Sequence, residues 1–190
     1  MPRHRFTDTR DRIERAAIRL FVDKGVAETT VRDLAQAVDI SEGALYRHFE
    51  SKNQLAWELF HTNYTAFAFE LDLLQQEYDT LKDKLNAMIR QFCIFFDKDP
   101  VLFTYLLLVQ HSQLKKVTPE METAVTVLQK VIAQGMDRRE IAPGEVELAA
   151  AMVLGVVLQV AVFKAYGRIT SNLCDLSDML AATCWRVLTR

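Results

Sequence analysis

Three helix-start signals stand about ten residues apart in the first third of the chain, at Thr30, Ser41 and Ser51. Each places a hydroxyl where it can accept from the unbonded backbone N–H groups of a first helical turn. The first is followed three residues on by Asp33 and the third by Gln54, the reciprocal arrangement of a capping box. Helices begun so close together must be short, so residues 29–55 predict two brief helices and then the start of a longer one. Leu34, Ala35, Val38, Ile40, Leu45 and Phe49 supply the apolar residues that would lock the short pair, and Val38-Asp39-Ile40 is the turn between them.

Helical period continues on both sides. Upstream, Ile13, Ala16, Ala17, Leu20 and Phe21 recur at i, i+3, i+4, i+7 and i+8, which is one apolar helix face. Thr7, Asp8 or Thr9 can cap that helix and Gly25 can close it. Downstream a long helix runs over about 52–75, with Leu55, Leu59 and Phe60 inward. Further helices are expected near 79–97, 99–116, 119–137, 144–166 and 175–189. Asp99-Pro100 and Thr118-Pro119 read as a cap followed by proline at the first helical position, and Pro143-Gly144 breaks the chain before the most apolar stretch. Strand alternation and hairpin turn signals are absent. The expected class is all-α with about nine helices, divided into residues 1–51 and 52–190.

The chain of 190 residues is half apolar and a quarter charged, with six Gly and four Pro and no linker-like tract, so it can bury a core without disulfides or metals. The net charge of −2 does not advertise a polyanionic partner, but its distribution is uneven. Residues 1–53 hold ten Lys/Arg against nine Asp/Glu, and the first 19 residues hold six Arg against three acids. Cys93, Cys174 and Cys184 are odd in number and widely spaced, which suits buried small apolar residues and leaves a redox or electrophile sensor as the alternative. Met1–Arg5 is basic but no apolar segment follows as in a signal peptide, so a cytoplasmic location is expected. Val146–Phe163 is nearly all apolar, yet Glu147 and Gln159 interrupt it, and a bundle helix is expected rather than a membrane span.

Two short helices joined by a tight turn make the helix-turn-helix layout, whose second helix lies in the DNA major groove. The polar residues suit that task. Thr30, Ser41 and Lys52 sit at or beside helix N-termini, where unbonded N–H groups attract phosphate oxygens. Tyr46 and His48 can donate to phosphates, and Arg47 can reach a phosphate or a guanine edge. Gly43 and Ala44 keep the helix start slim for close approach.

The string Gly43-x-Leu45-Tyr46-x-His48-Phe49-x-Ser51-Lys52-x-x-Leu55, with Gly25 and Thr29-Thr30-Val31-Arg32-x-Leu34-Ala35 upstream, resembles the TetR family of bacterial transcription regulators. Ala16-Ala17-x-x-Leu20-Phe21 extends the match, so it covers about residues 10–55. The resemblance implies a homodimeric repressor on a pseudo-palindromic operator, with the recognition helix at Glu42–His48. It implies phosphate anchors at Thr30, Tyr46, His48 and Lys52 and a base-proximal set of Arg32, Glu42, Gly43, Ala44 and Arg47. Asp39 departs from the family, which usually has Gly in that turn. Asp tolerates the left-handed conformation better than most residues, so a modest stability cost is expected.

Phe67, Met88, Phe92, Phe95, Phe96, Phe103, Tyr105, Gln110 and His111 fall on the middle helices, where this family encloses its effector. Helical period alone does not separate the lining of a pocket from a filled core. As a lining, this set favours a lipophilic or aromatic small molecule, with Tyr105, Gln110 and His111 as polar anchors. Apolar residues on several faces of the last two helices, among them Ala149, Gly155, Leu176 and Leu180, predict a four-helix homodimer contact through about 144–166 and 175–189. His4, His48, His61 and His111 lack metal-ligand spacing, and Asp97 with Asp99 reads as a helix end and cap. No cofactor fingerprint or nucleophile motif is present, so neither an enzyme nor a cofactor is expected. A DNA-binding regulator not gated by a small molecule, either partner-controlled or architectural, is the competing reading.

Overall fold

The computed structural model describes residues 3–189 apart from 114, 115, 117, 119 and 120, with side chains described from residue 9 onward except at 110–113. Nine α-helices lie among the described residues: α1 (Arg3–Lys24), α2 (Val31–Ala37), α3 (Glu42–Leu45), α4 (Lys52–Gln75), α5 (Leu81–Lys98), α6 (Pro100–Gln113), α7 (Ala124–Asp137), α8 (Val146–Ala165) and α9 (Leu173–Leu188). The fold is all-α. Its residues group into two compact units, Met1–Asn63 with Val101–Thr118, and Tyr64–Pro100 with Pro119–Arg190.

In the first unit α1, α2, α3 and the N-terminal part of α4 bury Ile13, Ala17, Phe21, Leu34, Ala35, Val38, Leu45, Phe49, Leu55 and Phe60. Tyr105 of α6 explains why that helix belongs here. Its side chain is fully buried, its ring stacks 6.0 Å from Phe21, and its hydroxyl donates to the Ala56 carbonyl at 2.6 Å. Burial pushes the phenol upward, so it stays a neutral donor. Gly25 ends α1 at φ +84, a left-handed turn that glycine adopts without steric cost.

The second unit packs α5 against α7 and α9, and α8 against α7 and α9. Polar groups fix helix ends across long stretches of sequence. The Asp97 carboxylate accepts from the Leu173 and Cys174 amides at 3.1 and 2.9 Å, capping α9 from α5. Burial raises this carboxyl, but the Cys174 and Leu173 hydrogen bonds outweigh it and hold the group below the usual carboxylate range. Glu140 accepts from the Leu81 amide at 2.6 Å at the start of α5. The buried Lys84 ammonium is satisfied by Gln75 Oε1 at 2.6 Å. Gly135 lets α7 approach α5 closely, since a Cβ there would run into the Leu81 side chain. Cys93 and Cys184 are buried, and burial pushes their thiols up to about 12 and about 11, which keeps them protonated.

Apart from Glu147, Gln159 and Lys164, helix α8 is apolar, and within the chain it buries only the face Ala149, Ala150, Val153, Val157 and Ala161. Leu148 is 55% exposed and Met152 41%, and with exposed Gly155, Gln159 and Phe163 they form a second face at helical spacing. The helix is long and apolar enough to cross a membrane, with 28% of its apolar window buried.

Three local expectations are corrected. No Gly or Pro interrupts residues 3–24, and α1 runs from Arg3, so Thr7, Asp8 and Thr9 fall inside the helix rather than at its cap. α7 begins at Ala124 rather than at Pro119, because Thr123 and Thr126 form a reciprocal capping box there; Pro119 itself lies outside the described residues. α3 is a single α-helical turn, Glu42–Leu45, after which i→i+3 bonds from Arg47 to Ala44 and His48 to Leu45 carry the chain to Phe49.

The turn before α3 holds Asp39 at φ +56, as its position requires. A β-branched side chain fits this region badly, whereas glycine enters it freely. Asp39→Val is therefore expected to lower unfolding stability by about 1–2 kcal/mol, while Asp39→Gly holds or raises it. Urea unfolding of both variants checks this.

Candidate nucleic-acid interface

The first unit presents its polar candidates on the short helices and their caps. Thr30 caps α2: its hydroxyl accepts from the Asp33 amide at 3.0 Å, and Asp33 Oδ2 accepts from the Thr30 amide at 2.8 Å. Lys24 of α1 pairs with Asp33 at 3.1 Å. The Thr30 amide and hydroxyl, then Lys24, hold the Asp33 carboxyl down to about 2. Because its folded value is depressed, the stability it contributes is complete above its usual value and is lost as pH falls through about 2. The protection of the Thr30 amide, relative to its intrinsic exchange rate at each pH, is therefore expected to fall between about pH 4 and 2, and Asp33→Asn is expected to flatten that dependence.

Ser41 caps α3 by accepting from the Ala44 amide at 3.2 Å. Its helix presents Glu42 and Gly43 to solvent, with Ala44 half-buried and Leu45 in the core. A Cβ on Gly43 would meet no atom within 4 Å, so packing within the chain does not require glycine there. Tyr46 is 52% exposed and Arg47 is exposed, while His48 is half-buried with its ring 6.4 Å from that of Phe49. Thr30, Arg32, Ser41, Glu42, Gly43, Tyr46 and Arg47 are thus all solvent-facing. An exposed tyrosine beside an exposed arginine suits phosphate and base-edge contacts better than it suits packing.

Lys52 differs from the others. Its ammonium donates to the Thr29 carbonyl at 2.6 Å and to the Ala27 carbonyl at 2.9 Å. Two arginines that sequence reasoning passed over also support the motif. Arg12 donates to the Val38 carbonyl at 2.7 Å, steadying the turn. Arg10 pairs with Glu14 at 2.9 Å and Glu58 at 3.0 Å while stacking 4.9 Å over the Phe49 ring. Only the Arg10–Glu14 spacing of four residues leaves a mark in the sequence.

The proposed pocket residues divide between the units. Phe67, Met88, Phe92 and Phe96 belong to the second, where Phe67 and Phe95 stack at 4.7 Å; Phe92 is half-buried and the other three are buried. Phe103 and Tyr105 belong to the first, both buried. The side chains of Gln110 and His111 lie outside the described residues.

Residues 13–59, which hold the capped pair and the start of α4, match the model of bacterial regulatory proteins of the tetR family. Over that segment the chain is a TetR-family protein. Among relatives of the family, the transcriptional repressor KstR2 of Mycolicibacterium smegmatis is 34% identical over 88 residues, which are 46% of this chain and 42% of that protein. The match thus spans less than half of that relative. Two solved structures share the fold over nearly the full length. The transcriptional regulator FadR from Bacillus subtilis in complex with stearoyl-CoA has a TM-score of 0.73 at 20% identity, covering 92% of this chain and 96% of that one. A TetR family regulator from Marinobacter aquaeolei VT8 has a TM-score of 0.80 at 20% identity, covering 98% of each chain.

Proposed function

We propose that this protein is a cytoplasmic, homodimeric DNA-binding transcription regulator, a repressor released from a pseudo-palindromic operator by a lipophilic small molecule. The observation that carries the reading is the capped helix-turn-helix pair with a solvent-facing edge of Arg32, Glu42, Gly43, Tyr46 and Arg47. Thr30, Ser41, Tyr46, His48 and Lys52 act as phosphate contacts, and Arg32, Glu42, Gly43, Ala44 and Arg47 face the bases. The DNA-binding part ends at residue 51 and the remainder senses and dimerises.

Dimerisation uses the outward face of α8, with Leu148, Met152 and Phe163, together with α9. So much apolar surface on one helix is unusual for a monomer in water and suits an isologous contact. A second copy covers it, rather than lipid.

The effector reading draws on the aromatic and methionine set Phe67, Met88, Phe92 and Phe96 and on the stearoyl-CoA carried by the similar FadR. An effector acts only through its different affinity for the DNA-competent and incompetent states. Because α4 begins beside the motif and continues into the second unit, a shift of this helix changes the spacing of two recognition helices. The test is a fluorescence-anisotropy titration of DNA flanking the protein's own gene, with stearoyl-CoA as the first probe. Release at micromolar probe supports small-molecule control. Equal affinity across a panel of acyl-CoA and aromatic probes favours a regulator not gated by a small molecule, partner-controlled or architectural.

Gly43 gives a check with two readouts of opposite sign. Alanine there relieves the entropic cost of glycine in a helix, so Gly43→Ala is expected to raise stability by about 0.5–1 kcal/mol. The added methyl stands at the groove-facing start of α3, and operator affinity is expected to fall. Thermal melts and anisotropy measure the pair.

A further inference from the structure

We propose that Gly155 is where a helix of a second copy makes its closest approach to α8, so that a bare stretch of backbone sets how tightly two protomers pack. The inference rests on the homodimer reading above and names the point on α8 that this contact requires.

Helix α8 runs unbroken from Val146 to Ala165, and Gly155 stands at its middle. Glycine in a helix interior is destabilising relative to alanine, because it gives up more backbone freedom on folding. Nothing described inside the chain offsets that loss. Gly155 does not share the left-handed backbone that singles out Gly25 and Gly167. A Cβ added to it would meet no described atom within 4 Å, unlike one on Gly135, which would run into Leu81. Ala149, Ala150 and Ala161 of the same helix are buried within the chain, whereas Gly155 faces out. The glycine therefore fits a neighbour that the single chain does not contain, one rigid enough to gain from a missing side chain. A helix backbone is such a neighbour, since small residues bring two helix axes together and extend the contact on both sides. Fluid lipid tails are not, because they fill around a notch or a methyl group alike.

The face around the notch points to its occupant. Met152 and Gln159 stand three and four residues to either side of Gly155, and Leu148 and Phe163 seven and eight, all of them exposed. The face is thus bulky at both ends and empty at its centre. A surface symmetric about its midpoint matches a copy of itself, as an isologous contact requires, while an unrelated partner imposes no such symmetry. No charged residue lies between Glu147 and Lys164, so two copies of this face do not repel. Gln159 carries both donors and an acceptor, which suits it to its own mate or to the carbonyls that a nearby glycine leaves uncovered. On α9, which packs against α8, exposed Met179 and Ala182 add apolar surface for the same partner.

Two general effects oppose the expected result, which makes its sign decisive. Alanine and leucine are better helix formers than glycine, and leucine adds apolar area to an apolar face. On those grounds alone Gly155→Ala and Gly155→Leu would strengthen both the helix and any loose contact. Close approach demands the reverse. The experiment is sedimentation of the fluorescently labelled full-length chain without DNA, from nanomolar to micromolar concentration. The dimer dissociation constant is expected to rise about tenfold for Gly155→Ala and about a hundredfold or more for Gly155→Leu, the usual consequence of forcing methylenes into a packed contact. Both variants are expected to stay helical by circular dichroism. If Gly155→Leu does not fold, Gly155→Ala carries the measurement.

An unchanged or smaller dissociation constant in Gly155→Leu, or in Gly155→Ala where the leucine variant does not fold, overturns the proposal and moves the closest approach away from Gly155. A wild-type chain that stays monomeric throughout removes the homodimer reading itself, and the inference falls with it.

Discussion

A chain carrying Met152→Asp is expected to sediment as a monomer at about 10 μM and to bind a two-half-site duplex about 10²–10⁴-fold more weakly than the wild type. Met152 stands on the outward face of α8 between Leu148 and Gly155, and 41% of it is exposed within the chain. In the proposed dimer a carboxylate there is buried against its symmetry mate, and two unpaired charges brought into an apolar contact cost more than the contact supplies. The second unit keeps its own core through Val153, Val157, Leu180 and Cys184, so circular dichroism is expected to remain helical. The loss of affinity then comes from geometry. Each half-site contact persists, but the second binding event is no longer intramolecular. A dimeric Met152→Asp chain with wild-type affinity would remove α8 from the interface.

The second large effect belongs to Tyr46. Its side chain is 52% exposed, so Tyr46→Ala is expected to leave the melting temperature nearly unchanged while operator affinity falls about 10²-fold. One hydrogen bond to a charged phosphate is worth about 1.5 kcal/mol, and a symmetric complex loses two. Tyr46→Phe keeps the ring and removes only the donor. It separates hydrogen bonding from contact with the sugar-phosphate surface: equal losses in both variants assign the effect to the hydroxyl.

The sequence was most legible where structure is made by neighbours. The Thr30–Asp33 box, the Ser41 cap, the left-handed Asp39 and the extent of α4 all follow from residues within one or two turns of each other. It was less legible where a polar group reaches across the chain. Lys52 could be placed at a helix start from its spacing, but its carbonyl partners lie more than twenty residues upstream. Asp97 lies in the last turn of α5, where sequence reads a helix end, yet its carboxylate caps α9 from 76 residues away. The start of α7 was misread for a related reason. Thr118-Pro119 carries the stronger written signal, while Thr123 pairs with Thr126, whose hydroxyl replaces the acid that the usual pattern leads one to expect. Tyr105 offered a hydroxyl to any ligand on paper, and only three-dimensional packing reveals that Ala56 takes it.

The claim that joins these observations is that two copies of the capped pair read two halves of one DNA site. In-vitro selection from random duplex DNA with the full-length chain, followed by sequencing, tests it most directly. The account predicts enrichment of inverted repeats whose half-site centres stand about one helical turn, or a small multiple of it, apart, lost when Tyr46→Ala is used in place of the wild type. Enrichment of single unpaired half-sites, or no enrichment beyond the starting pool, would contradict it.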